Sequence, residues 1–131
     1  MKLDILKIGS RGSRLAQVQV EEVFSLLAQT GTDAAHTLTT YQTRGDHDKS
    51  TSLLISPADD FFTDTLDEAL LKGEIDAAVH SAKDLPKALR PGLKIFALTA
   101  SRDERDAFVG RKKLSELEAG AKIGTSSALR K

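Results

Sequence analysis

Cysteine is missing from all 131 residues, which excludes a disulfide scaffold, a thiolate metal site and a thiol nucleophile from this chain. Covalent chemistry would have to use other side chains. Net charge is missing too, with 19 Lys and Arg set against 19 Asp and Glu. A neutral average attracts neither a phosphate backbone nor an anionic lipid surface, so no dedicated nucleic-acid or membrane-surface binder is expected. Long apolar runs are also absent. Lys2, Asp4 and Lys7 interrupt the stretch that a signal peptide would keep apolar, and no later run reaches membrane-spanning length. The expectation is a cytoplasmic protein with no membrane partner and no nucleic-acid partner.

Apolar residues make up 40% of the chain, enough for a core and too many for a disordered segment. The length suits one domain, or one domain and the start of a second. Leu3 to Ile8 reads as a strand that stops at Gly9-Ser10-Arg11-Gly12-Ser13. From there Leu15, Val18, Val23, Leu26 and Leu27 follow helical spacing, with Ser13 as N-cap and Gly31 as stop. His36 to Gln42 is rich in Thr and Tyr and predicts a second strand, followed by a polar turn at Thr43-Arg44-Gly45-Asp46. Ser56-Pro57-Ala58-Asp59 looks like a helix start, Phe62, Leu66, Ala69 and Leu70 form its buried stripe, and Gly73 ends it. The acids Asp59, Asp60, Asp64, Asp67 and Glu68 then read most simply as a solvated face near that helix's N-terminus.

Ile75 to Val79 is nearly all apolar, as in a strand covered on both faces. It runs into the polar cluster His80-Ser81-Ala82-Lys83-Asp84-Leu85-Pro86. Pro91-Gly92 turns the chain into an expected strand at Leu93 to Leu98, and Arg102 to Asp106 has the charge density of a crossover linker. Further expectations are a strand at Ala107 to Val109, a short helix around Leu114 to Leu117, and a strand at Ile123. Alternating strands and helices define an α/β class, with a parallel or mixed sheet between helices. Gly124-Thr125-Ser126-Ser127 has helix-cap chemistry, yet only about one turn of chain follows it; the sequence is expected to be a fragment.

Three loops share a design in which a strand ends, small and hydroxyl residues follow, and a basic side chain stands nearby. They are Gly9 to Ser13, His80 to Asp84, and Gly124 to Arg130. At the carboxyl edge of an open α/β sheet such loops converge and can hold an oxyanion. No nucleotide fingerprint is present. Taken singly, each loop also reads as an ordinary strand-to-helix turn. Within the second loop, Asp84 could accept a donor, protonate a leaving group and stabilise a developing cation, although Lys83-Asp84 also fits a solvated ion pair. His80 could shuttle protons, or could simply be packed. His36 and His47 are isolated, and no metal site is expected.

Taken in order, Ile8 to Ser13 with Leu15-Ala16 and Gln19, Thr43-Arg44-Gly45-Asp46, and Gly73 to Pro86 resemble the porphobilinogen deaminase (hydroxymethylbilane synthase) family. Arg105-Asp106-Ala107-Phe108-Val109 and Gly124-Thr125-Ser126-Ser127 extend the likeness over almost the whole chain. The resemblance implies a cytoplasmic transferase of tetrapyrrole (haem) biosynthesis. Its first two domains would have the type II periplasmic-binding-protein architecture, with the active cleft between them. Residues 1–100 would form most of domain 1, and 101–131 the crossover and the incomplete start of domain 2. The family condenses four porphobilinogen molecules into hydroxymethylbilane with release of ammonia. It does so on a dipyrromethane cofactor whose attachment cysteine, in a third domain, is absent here.

By the same resemblance Asp84 is the catalytic carboxylate, contacting pyrrole nitrogens and stabilising the cationic azafulvene-like intermediate. Arg11, Ser13, Ser81, Lys83, Thr125, Ser126, Ser127 and Arg130 hold the acetate and propionate groups of substrate and cofactor. Porphobilinogen, pyrrole-chain carboxylates and the rest of the parent chain are the implied partners. Some positions depart from the family pattern. A loop that usually carries two lysines reads Pro57-Ala58-Asp59-Asp60-Phe61 and then Asp64, Arg14 replaces a usual proline, and Leu129 leaves Arg130 as the single arginine after the Thr-Ser-Ser motif. Acids in place of cations should repel carboxylates. The alternative is therefore a non-catalytic α/β module that binds a small anion or a partner protein, and the isolated chain is expected to be inactive.

Overall fold

The computed structural model describes residues 5–32, 34–47, 61–101 and 103–125. Its centre is a parallel three-stranded sheet in the order β2-β1-β3, with β1 at Leu6–Arg11, β2 at His36–Tyr41 and β3 at Ala77–Ala78. The register sets Ile8 beside Leu38 and Ala77, and Gly9 beside Thr39 and Ala78. β1 runs three residues past its expected end at Ile8. Gly9 and Ser10 belong to the strand and are buried, and Arg11 is its last residue. Only Gly12 and Ser13 remain as the turn.

The two main helices lie on opposite faces of this sheet. Helix α1, Arg14–Gln29, starts where Ser13 Oγ accepts the Ala16 N–H at 3.2 Å, satisfying one of the orphan donors of the first turn. It stops before Gly31, whose φ of 82° is a left-handed conformation that glycine adopts without a Cβ clash. The Phe24 ring of α1 stacks on His36 at 3.5 Å between centroids. His36 pairs with Leu6, so α1 covers the face that carries Leu6, Ile8 and Ser10. The buried seam of α1 is Ala16 and Val20, continued by half-buried Val23, Phe24 and Leu27. Leu15 and Val18, expected in that stripe, are exposed. At about 3.6 residues per turn, Val18 falls nearly opposite the seam.

Chain reversal after β2 begins with helical turn α2, Arg44–His47. The next helix, α3, spans Asp64–Leu71 and ends at Gly73, φ 71°. Leu66 and Ala69 of α3 form the core with Ile75, and Tyr41, Leu70 and Ala78 pack against it. That core presses on the Gly9 face of the sheet. A Cβ built on Gly9 would stand 2.4 Å from Ile75 Cδ1 and 2.9 Å from Leu66 Cδ2, so glycine here permits close packing. The expected helix start at Ser56 to Asp59 lies outside the described residues, as do Asp59 and Asp60, and Phe62 precedes the helix. Asp67 corrects the expectation of a uniformly solvated acidic face. It is buried and accepts the Thr63 hydroxyl at 3.1 Å, because its position on α3 turns inward beside Leu66.

Other expectations fail for want of a neighbouring strand. Ile75 to Val79 is strand only at Ala77–Ala78, although ladder-like bonds extend it: Asp76 N–H to Lys7 O at 2.7 Å and Val79 N–H to Gly9 O at 3.0 Å. Its residues from Ala77 to Val79 are half-buried, not covered on both faces. Leu93 to Leu98, Ala107 to Val109 and Ile123 are not strands, and the expected helix at Leu114 to Leu117 is a 3₁₀ turn, Leu114–Glu116. Strand backbone needs partners for its N–H and C=O groups. None is provided among the described residues, and Ile95, Phe96, Leu98, Phe108 and Val109 are exposed. The sheet pairings that are described are all parallel.

The close contact at Gly9 yields a stability test. Gly9→Ala should lower the free energy of urea unfolding by about 1–3 kcal/mol, the usual range for overpacking. Gly12→Ala should change it much less, since its nearest neighbour, Thr40 Cβ, is 4.0 Å away.

Candidate functional site

Parallel strands bring their carboxyl ends to one edge, and three such ends meet here. β1 ends in Arg11, β2 runs into Thr43 and α2, and β3 runs into His80, Ser81 and the 3₁₀ turn Ala82–Asp84. Arg11 joins them. Its Nε donates to Asp46 Oδ1 at 3.1 Å and Oδ2 at 3.3 Å, and its Nη2 also donates to Asp46 Oδ1. Its Nη1 donates to Asp84 Oδ2 at 3.3 Å. The face of Phe62 lies 4.8 Å from the guanidinium carbon, within reach of a cation–π attraction.

Each partner has its own support. Asp46 Oδ2 accepts the Thr43 N–H and the Thr43 hydroxyl, both at 2.9 Å, and Thr43 is fully buried. Burial works against the Asp46 charge, but the Arg11 and Thr43 hydrogen bonds outweigh it and hold the carboxyl below the usual carboxylate range. Asp46's hydrogen bonds in turn raise the Arg11 pKa above its ordinary value, with Asp84 adding to the effect against the opposing cost of burial. Asp84 closes its own turn, its N–H donating to Ser81 O at 2.9 Å. Ser81 Oγ donates to Gln19 Oε1 of α1 at 2.8 Å, tying the second loop to the helix that follows the first.

The structure thus brings together Arg11, Ser81 and Asp84, with Ser13 at the start of α1 two residues from Arg11. Lys83 is exposed on the same 3₁₀ turn. The Lys83-Asp84 ion pair considered from sequence does not form; Asp84 pairs with Arg11, because neighbouring residues on a tight turn point apart. Ser13 is engaged as a helix cap. The third loop stands differently: Gly124 and Thr125 line an open hollow with Phe108, Leu117 and Ile123, and Ser126, Ser127 and Arg130 lie outside the described residues. His80 is largely buried, and burial pushes its pKa below the usual value, which agrees with a packed histidine. Among the described residues no cluster of three His, Asp or Glu side chains is placed to hold a metal, and no helix is long and apolar enough to cross a membrane.

Asp46, Thr43 and Phe62 were not singled out for the site by sequence. Asp46 stood in a recognised motif, but its importance depends on the β1–β2 register that sets the two strand ends side by side. Asp64, one of the acids expected to repel carboxylates, is paired with Arg44, whose Nε donates to it at 2.7 Å.

Parallel strand ends that hold an arginine between two carboxylates, with hydroxyls and a lysine beside them, define an α/β protein whose sheet edge sets hydrogen-bond donors and acceptors side by side. Comparison with known families makes this specific. Residues 6–131 match the family described as "Porphobilinogen deaminase, dipyromethane cofactor binding domain". The porphobilinogen deaminase of Thermus thermophilus is 41% identical over 130 residues, covering 97% of this chain and 41% of the relative. That of Deinococcus radiodurans is 40% identical over 129 residues (95% and 42%), and that of Bacillus subtilis 39% over 127 (95% and 40%). The chain belongs to the porphobilinogen deaminase family. It spans about two-fifths of the length of these curated relatives.

Two of the shifted groups, Asp46 and His80, set a pH dependence with one sign. A carboxyl held low in the folded state gives stability that is present above its unfolded value of about 4 and lost as pH falls through the folded value. A histidine held low costs stability as pH falls below its unfolded value of about 6.5, where the unfolded chain takes up the proton first. The urea midpoint should therefore fall as pH drops below about 6.5 through His80, and fall further below about pH 4 through Asp46. His80→Asn should flatten the first step and leave the second.

Proposed function

We propose that this chain carries the catalytic carboxylate and part of the substrate-binding wall of a hydroxymethylbilane synthase, the transferase that joins porphobilinogen units with loss of ammonia. The observation that supports this most directly is Asp84, 3.3 Å from Arg11, at the shared edge of three parallel strands. Residues 1–100 would be the larger part of a first domain of type II periplasmic-binding-protein architecture, and 101–131 the crossover and the beginning of a second. The protein would work in the cytoplasm.

The roles follow from charge and hydrogen-bonding capacity. A pyrrole N–H donates to the Asp84 carboxylate, which fixes the ring and lies next to the positive charge that develops on it. When the C–N bond of the protonated aminomethyl group (CH2–NH3+) breaks, its electron pair leaves with nitrogen as ammonia, and the ring nitrogen releases electrons toward the methylene carbon. Attack by the α-carbon of the next pyrrole forms the new C–C bond and releases a proton from that carbon. Arg11, Lys83 and the Ser13 hydroxyl are donors for acetate and propionate arms, joined in the proposal by Thr125, Ser126, Ser127 and Arg130, and by Ser81 once its hydroxyl turns from Gln19 Oε1.

The donor set also fits the acid arms and N–H groups of a dipyrromethane: Asp84 takes the N–H groups, while Arg11 and Lys83 take the arms. Its covalent attachment requires a thiol, and these 131 residues have none. When bound, the dipyrromethane supplies the pyrrole carbon onto which the first unit is joined. The chain alone is accordingly expected to be inactive.

Titration of the chain with porphobilinogen tests this reading. Asp84→Ala removes a charged acceptor, and hydrogen bonds to charged groups contribute about 1.5–3 kcal/mol, so the Kd should rise about 10- to 100-fold. Wild-type chain that does not bind porphobilinogen, or an Asp84→Ala variant that binds as tightly, would refute it. Hydroxymethylbilane formed by the chain alone would refute the expected inactivity.

A further inference from the structure

We propose that Asp46 is a positioning residue that governs how much of Asp84 is left for a ligand. The inference rests on the reading of Asp84 as the pyrrole-facing carboxylate, and deepens it. A guanidinium has five N–H donors and can form a two-pronged pair with only one carboxylate along each edge. Here the edge formed by Nε and Nη2 is committed to Asp46, and Asp84 receives a single bond from Nη1. At 3.3 Å that bond is long for a charge-assisted pair, whose usual range is about 2.7–2.9 Å.

Asp46 can hold the arginine in this way because it is itself held. The Thr43 N–H and hydroxyl both fix Oδ2, and the turn that carries Asp46 has no room to drift. A Cβ on Gly45 would come within 2.2 Å of the Phe62 ring that lies against the guanidinium. With Asp46 neutral, the guanidinium would turn to Asp84 and engage both of its oxygens, the same oxygens that a pyrrole N–H must reach. Arg11 thus stands between two acids, and the better-anchored one keeps it from closing on the other.

Asp46→Asn tests this while keeping an oxygen for the Thr43 N–H. Removing a negative charge would by itself tighten the binding of an acidic ligand, so a weakening is the signature of lost positioning. In the 131-residue chain, porphobilinogen should bind about tenfold more weakly to Asp46→Asn, the scale of one charged hydrogen bond, and Asp46→Glu should recover part of the loss. By NMR, the Arg11 Nε–H should exchange with water about tenfold faster in Asp46→Asn. Unchanged exchange, or tighter porphobilinogen binding by this variant, would overturn the inference. If wild-type chain binds no porphobilinogen, the proposed function fails, and the exchange measurement, which needs no ligand, still decides whether Asp46 holds Arg11. Should Asp46→Asn lose its amide dispersion, Thr43→Val loosens the same carboxylate by deleting one donor. It should then give faster Arg11 exchange, and unchanged exchange overturns the inference there too.

Discussion

One guanidinium joins three strand ends that are far apart in sequence. Arg11 is 35 residues from Asp46 and 73 from Asp84, and only a parallel arrangement with β1 in the middle brings all three to one edge. An exposed ion pair contributes little because water competes for both charges. Here each of the three side chains is only about one-fifth exposed, and Asp46 makes two further hydrogen bonds to Thr43. Partial burial makes the network directional. Each charge would cost free energy if left without its partner, so the three side chains hold one another in place.

That shape depends equally on what the core leaves out. Gly9 lets Ile75 and Leu66 come against the middle of β1, and Gly45 lets Phe62 lie across the guanidinium. A side chain at either position would push α3 or the aromatic ring away from the strand end that carries Arg11. Core packing and site geometry are therefore one constraint expressed on one face of the same strand: Gly9 against the core, Arg11 two residues later at the sheet's edge.

Local chemistry was the legible part of the sequence. Ser13 caps α1 and Gly31 and Gly73 stop helices because each acts within a few residues of itself. Asp84 was legible as a candidate through the His-Ser-Ala-Lys-Asp-Leu-Pro segment, whereas its contact with Arg11, 73 residues away, was not. Asp46 was not, since its partner is determined by which strands are neighbours. Asp67 looked like one more surface acid, and only the direction in which α3 meets the sheet shows it buried on Thr63. The apolar stretches at Leu93 to Leu98 and Ala107 to Val109 have strand composition, but composition cannot supply the neighbour that a strand needs.

Charge balance sets the next requirement on the proposed function. Arg11 and Lys83 contribute two positive charges to this edge, and Asp46 and Asp84 two negative, so it is neutral as a set. A neutral edge can orient a ligand by hydrogen bonds, but it cannot by itself concentrate one that bears several carboxylates. The pairing of Asp64 with Arg44 limits repulsion from one acid without adding attraction. If porphobilinogen is the ligand, any cationic grip on its arms beyond that of Arg11 and Lys83 has to come from residues outside this network. Arg130 is the further cation that the proposal names. The division of labour that follows is specific. Under the proposed function this edge would fix the reacting ring through Asp84, with Arg11 and Asp46 setting how much of that carboxylate is free, while further affinity for the acid arms would come from outside the network.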